Sequence, residues 1–292
     1  MKPIKVSILG ADGYTCQIPR IKEGMVSLGH IVSMDSPDLI YSNDPKGYAE
    51  ALILKHKYPK AYLILNFLDI PWHLKNVEKQ TELLIKKFFF KANAISTISF
   101  KVKKDLEKFY NKKIHVIYNP IKDIYFDESV KKNNMFLYVG RANDPVKRIR
   151  LAYDAILKTN EDVNSIKICG SEDPGFGTYL GIVPDEDLNK IYNSSKFVLL
   201  PSKAEGIGLS MIEGMICGSI PLTCSDNTTA KEFSPAEFIS DPNAQDVANK
   251  INEINKDYEK KRKLALEYGE KYKIKFHKIN IAKNIIKIFN SR

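Results

Sequence analysis

No apolar run in the chain approaches the roughly 18 residues that cross a bilayer, so nothing in it reads as a membrane span. The four cysteines, Cys16, Cys169, Cys217 and Cys224, form no C-x-x-C pair and fall mostly beside apolar runs. They read as small core residues of a reducing compartment, not as a disulfide framework. No aromatic RNA-binding consensus, recognition-helix pattern or Cys/His metal module is present, which leaves a nucleic-acid reading resting on charge alone. The opening MKPIKVSILGADG lacks a signal-peptide core, because Val6 to Leu9 is short and Asp12 follows at once. It reads as a first strand.

What is present points to an α/β protein. The 292 residues are too many for one ordinary core and suit two domains of about 130 to 150 residues each. The formal charge of +10 favours anionic partners: phosphorylated small molecules, anionic lipid surfaces or nucleic acid. Lys5 to Leu9, Asp38 to Tyr41, Ala61 to Leu65 and Ala94 to Ser99 are short β-rich runs alternating with helical segments, the pattern of a parallel sheet.

The stretch Phe197 to Asn227 is the most informative. It predicts a buried strand (Phe197 to Leu200), a loop with Glu205-Gly206-Ile207-Gly208, a helix opening near Leu209, and a strand from Ile220 to Cys224. Two glycines let backbone approach a ligand, and the helix behind them aims N–H groups and a partial positive charge at the same place. Such a site suits a phosphate. On composition alone, Glu213 is equally a solvated helix residue, and Gly206 and Gly208 equally shape a βα turn.

The pattern E-G-x-G-L-x-x-x-E, followed by G-x-I-P at Gly218 to Pro221, resembles the E-x(7)-E signature of retaining glycosyltransferases of the GT-B fold, in particular nucleotide-sugar-dependent family 4. Tyr138 to Lys147 is similar to that family's G-R-x(5)-K block. Ile114 to Ile121 stands where the family has its interdomain segment, with Pro120 and Lys122 in place of the usual glycine and aspartate. The resemblance implies two Rossmann-like domains facing across a cleft, with a last helix crossing back to the first.

The domain reading is 1–121 for the acceptor-side domain, 122–134 for a polar linker, 135–273 for the donor-side domain, and 274–292 for the returning helix. By resemblance Arg141, Lys147 and Glu205 are catalytic. Gly140, Gly206, Ile207, Gly208, Leu209 and Glu213 hold the donor, with Ile182 against the base. Arg141 and Lys147 would hold the diphosphate, Glu205 the sugar and Glu213 the ribose. Gly10, Gly13, Asp69 and His73 are cleft candidates; turn-forming glycines, a loop-stabilising aspartate and a surface histidine explain them as well.

Asp185-Glu186-Asp187 superficially looks like a metal-binding D-x-D, but it opens a helix carrying Leu188 and Ile191, where acidic residues complement the dipole. No metal or other cofactor is expected. Arg148 and Arg150 read as surface residues, and Thr228 and Thr229 as loop residues near the cleft. Lys75 to Asn93 predicts a basic, phenylalanine-rich helix, which either packs on the sheet with snorkelling lysines or lies on an anionic membrane.

The function implied is transfer of a sugar from a nucleotide-diphosphate donor to a hydroxyl acceptor with retained configuration. The setting is cytoplasmic, with peripheral membrane attachment left open and no nucleic-acid partner. The alternative is a non-catalytic binder of nucleotide sugars or glycans.

Overall fold

The computed structural model describes residues 2–10, 17–68 and 76–292. They form two compact α/β units, residues 1–122 with 275–292 and residues 123–274. Each is built on a six-stranded sheet whose strands pair in parallel. This is the fold class expected from the resemblance.

The first unit runs β1 (Lys5–Leu9), α1 (Gln17–Ser27), β2 (Ile31–Val32), β3 (Leu39–Ser42), α2 (Pro45–Lys57), β4 (Tyr62–Phe67), α3 (Val77–Phe88), β5 (Ala94–Thr97), α4 (Phe100–Leu106) and β6 (Ile114–Val116). The sheet order is β2-β1-β3-β4-β5-β6. Helices cover both faces of such a sheet, so β3 is buried at all four residues and reads as continuous apolar sequence rather than alternation. Helix starts follow local chemistry. Asp44 accepts from the Gly47 N–H ahead of Pro45 at the first turn of α2, and Ser99 accepts from the Val102 N–H to cap α4.

The second unit runs β7 (Asn133–Val139), α5 (Ile149–Ile156), β8 (Ile166–Cys169), β9 (Thr178–Gly181), α6 (Asp185–Ser194), β10 (Ser195–Leu200), α7 (Leu209–Ile216), β11 (Ile220–Cys224), α8 (Ala230–Phe233), β12 (Ile239–Ser240), α9 (Ala244–Lys256) and α10 (Tyr258–Lys275). Its sheet order is β12-β11-β10-β7-β8-β9. The final helix, α11 (Lys278–Asn290), belongs to the first unit and packs on α1. A Cβ at Gly24 would lie 2.4 Å from the Lys278 carbonyl oxygen, so glycine permits this approach. The Lys278–Glu23 ion pair at 2.8 Å flanks it.

Several local expectations change. The polar segment after Lys122 is not free connecting chain: Tyr125 is buried, and Asn193 on α6 donates to the Phe126 carbonyl and accepts from the Glu128 N–H. Side-chain amides on a helix give polar sequence a reason to pack. The helix expected over 75–93 ends at Phe88 and continues as a 3-10 turn, Phe89–Lys91, with Lys75 outside the described residues. Its Phe89 is core, in edge contact with Tyr48, Phe67 and Tyr110. The densely charged α10 also has a packed face: Ala265, Gly269 and Tyr272 are buried, and a Cβ at Gly269 would strike the Met215 carbonyl oxygen at 2.5 Å. Cys169, Cys217 and Cys224 are buried and unbridged; Cys16 lies outside the described residues.

Candidate functional site

The second sheet has a topological switch point. From β7 the chain moves outward through β8 and β9, then returns to the opposite side of β7 as β10 before continuing to β11 and β12. Ligands of open parallel sheets gather beyond the carboxyl ends of strands at such a point. Here those ends are Gly140-Arg141 after β7 and the Pro201–Glu205 loop after β10.

Lys147 and Glu205, 58 positions apart in sequence, meet at 2.7 Å, with side chains 21% and 12% exposed. The two loops are also joined by the Lys203 N–H donating to the Val146 carbonyl at 2.8 Å. Arg141 is different: its side chain is 66% exposed and pairs with Asp144 at 2.7 Å. Asp144 in turn accepts from the Val146 N–H, which shapes the turn leading to Lys147. Gly140 sits where β7 and β8 converge, and a Cβ at Gly170 would lie 2.0 Å from the Gly140 oxygen. Tyr138 donates to the Arg141 carbonyl, and burial first, then the neighbouring Glu205 and Asp144 carboxylates, push its phenol well above the ordinary range.

Gly208 opens α7 at φ +80, the left-handed region that glycine enters without strain. Gly206 is not among the positive-φ residues, so only the second glycine of the pair has this conformational role. Ile207 is buried, leaving backbone as what it offers a ligand, and the first N–H groups of α7 lack intrahelical acceptors by geometry. Glu213 lies in the second turn and accepts from Tyr192 OH at 3.1 Å. Burial and that carboxylate raise the Tyr192 pKa. Gly214 has a packing reason: a Cβ there would stand 2.6 Å from Val198 Cγ1 on β10. Ile182, just past the edge strand β9, is 60% exposed.

Two further residues surround this core, the first of them a loop residue that the sequence placed near the cleft and the second read there as surface. Thr229, fully buried, donates to the Glu205 carbonyl at 2.6 Å. Arg148 is not a plain surface residue. It donates to the Pro201 carbonyl and to both Asp226 oxygens, each at 2.8 Å. The available signal was an arginine just ahead of a helix and an acid two residues beyond a strand end; neither stands out in charged loops.

In the first unit, Gly10 follows β1 at φ +149, where a Cβ would lie 2.9 Å from both Asp44 Oδ2 and Ile18 Cδ1. Close packing on the start of α2 thus accounts for glycine there. Gly13, Asp69 and His73 lie outside the described residues. The neighbouring Asn66 is fully buried in a network, donating to Asn43 at 3.0 Å and accepting from Ser96 at 2.7 Å. Among the described residues no group of three or more His, Cys, Asp or Glu is placed to hold a metal ion, and no helix is long and apolar enough to cross a membrane.

Known proteins resemble the chain in sequence and in fold. O-antigen chain mannosyltransferase B of Escherichia coli is 42% identical over 74 residues, 25% of this chain and 19% of that protein. O-antigen chain mannosyltransferase RfbU of Salmonella typhimurium is 29% identical over 160 residues, 49% of this chain and 45% of that protein. The match thus spans less than half the length of these relatives. Anabaena Alr3699/HepE, solved in complex with UDP and glucose, superposes with a TM-score of 0.78 at 17% identity, covering 99% of this chain and 100% of that one. The chain has the two Rossmann-like units of the GT-B fold, and its residues 177–272 match the family of glycosyl transferases group 1.

Proposed function

We propose that the chain is a retaining, family 4 glycosyltransferase that moves a hexose from a nucleotide-diphosphate sugar to an acceptor hydroxyl. The observation that carries this reading is the 2.7 Å pair of Lys147 with Glu205, three residues ahead of the glycine that opens α7. It brings the G-R-x(5)-K and E-x(7)-E blocks together at the switch point of one sheet. The relatives' names, two mannosyltransferases and a complex with UDP and glucose, support a nucleotide-activated hexose as donor.

In this reading the bond from the sugar C1 to the diphosphate breaks and a bond from the acceptor oxygen to C1 forms with net retention of configuration at C1. The acceptor's proton passes to the departing diphosphate. Charge gathers on that leaving group, so catalysis rests on preorganised positive groups: the Lys147 ammonium, Arg141 and the N–H groups from Ile207 to Ser210. Donor phosphate competes with Glu205 for the ammonium, and Glu205 then accepts from a sugar hydroxyl. Glu213, oriented by Tyr192, accepts from the ribose, and Ile182 lies against the base. Protein groups meet the phosphate charge, so turnover is expected to survive treatment with a chelator.

The setting proposed is the cytoplasm, with peripheral attachment to an anionic membrane through α3. Lys86, Lys87 and Lys91 are exposed there beside Leu83 and Phe90, 57% and 52% exposed. Sedimentation with phosphatidylglycerol vesicles, absent with phosphatidylcholine and lost in L83E/F90E, is the expected result.

A thermal-shift screen of nucleotide sugars tests the donor reading, because a ligand of the native state raises apparent stability with occupancy. A hit that slowly releases nucleoside diphosphate without acceptor is an enzyme. A hit that binds without release is the non-catalytic binder, and no hit among UDP-, GDP-, ADP- and TDP-sugars rejects the site.

A further inference from the structure

We propose that Arg148 is a positioning residue for the donor site, a clamp that sets the separation of Lys147 and Glu205. The inference rests on the donor reading above and assigns a new part to it. Arg148 has φ +50, the left-handed region that side chains other than glycine seldom adopt. Such a conformation persists where surrounding contacts over-determine it. Here the Arg148 guanidinium donates through Nε to the Pro201 carbonyl and through Nη1 and Nη2 to the two Asp226 oxygens, each at 2.8 Å. One planar fork therefore joins the loops that follow β7, β10 and β11.

The contacts close a ring. Arg148 holds Asp226; three residues on, Thr229 Oγ1 donates to the Glu205 carbonyl at 2.6 Å; Glu205 pairs with Lys147 at 2.7 Å; and Lys147 precedes Arg148 in the chain. The Asn227 side chain stiffens the span between Asp226 and Thr229 by accepting from the Thr229 and Ala230 N–H groups. Lys147 and Glu205 have long side chains with much rotamer freedom. The ring fixes the two backbones from which those side chains reach, and so the distance they must span where the leaving diphosphate and the sugar would lie. A lysine at 148 would put one ammonium in place of a fork and satisfy only part of the clamp.

Substitution separates positioning from bulk stability, because glycine relieves the positive φ while losing the fork. The test is to measure melting temperature, UDP affinity and acceptor-free hydrolysis of UDP-glucose and GDP-mannose for wild type, R148A, R148G, R148K, D226N, R148G/D226N and K147A. The expected result is that R148G melts above R148A, yet both lose about 10- to 100-fold in kcat/KM, the scale of an ångström's misplacement of reacting groups. R148K stays near R148G in kcat/KM, and R148G/D226N loses little more than R148G, because both changes open the same clamp. R148G at wild-type kcat/KM, or fully multiplicative losses in the double variant, overturns the clamp. K147A with unchanged UDP affinity and hydrolysis overturns the donor site itself. A defective K147A beside an unaffected R148G discards the clamp alone.

Discussion

Replacing Gly214 by alanine sets helix propensity against packing, inside the helix that carries Glu213. Alanine is the better helix former by up to about 1 kcal/mol. The added methyl, however, would stand 2.6 Å from Val198 Cγ1 and 3.1 Å from Val198 Cβ. Val198 is fully buried and paired with Leu137 on β7 and Pro221 on β11. Its branched Cβ has little χ1 freedom, so the helix must give instead. Overpacking of this kind costs about 1 to 3 kcal/mol, which leaves a net destabilisation of about 1 kcal/mol after the propensity gain. For a unit of this size that is about two to four degrees in melting temperature. Donor turnover falls as well, because a displaced α7 carries its N–H groups and Glu213 with it. Thermal melts and urea titrations of G214A, V198A and the double variant measure this, with V198A expected to recover part of the loss. A higher melting temperature for G214A, or costs that add within about 0.5 kcal/mol, refutes the packing argument.

Three further outcomes are expected. K147A and R141A each lose about 2 to 4 kcal/mol of transition-state stabilisation, roughly 30- to 1000-fold in kcat/KM for donor hydrolysis, and near-normal turnover in K147A counts against the site. Stability falls as pH rises above 9: burial pushes the Cys169, Cys217 and Cys224 thiols up to about 11, 12 and 11, so the native chain keeps protons that the unfolded chain loses at its ordinary value of 9.0. Lys132, pulled down to about 8 by burial, and Lys55, also lowered by burial, act with the opposite sign, against the three thiols and the Tyr41, Tyr138, Tyr192 and Tyr258 phenols that burial raises; urea midpoints that rise from pH 9 to 10.5 contradict the sum. Lys132→Met removes the ammonium that donates to the Tyr192 and Cys217 carbonyls near the ends of α6 and α7; the Tyr192 carbonyl still accepts from Ser219 Oγ, so the loss falls mainly on the Cys217 carbonyl and costs about 1 to 3 kcal/mol by chemical denaturation.

The local elements of this fold are legible because their signals are local. Apolar runs mark β3 and β10, Asp44 and Ser99 mark helix starts, and the spacing from Glu205 to Glu213 marks a loop entering a helix. The first glycine pair gave less: Gly10 meets Asp44 on the next βα turn, a partner that no pattern around Gly10 names. Polarity misled at Asp123–Lys132, where Asn189 and Asn193 satisfy the backbone of an apparently free segment. Phe89, flanked by lysines, belongs to the core.

Strand and helix identity, the two-unit organisation and the two charged blocks of the candidate site were decided by sequence, since periodicity and turn chemistry act over a few residues. Strand order was decided by tertiary structure, and with it every pairing in the site. Lys147 reaches Glu205 across 58 positions, and Arg148 reaches Pro201 across 53 and Asp226 across 78, only because β7 lies next to β10 and β10 next to β11. A charge in a loop has no partner until the sheet has chosen which strand ends are neighbours.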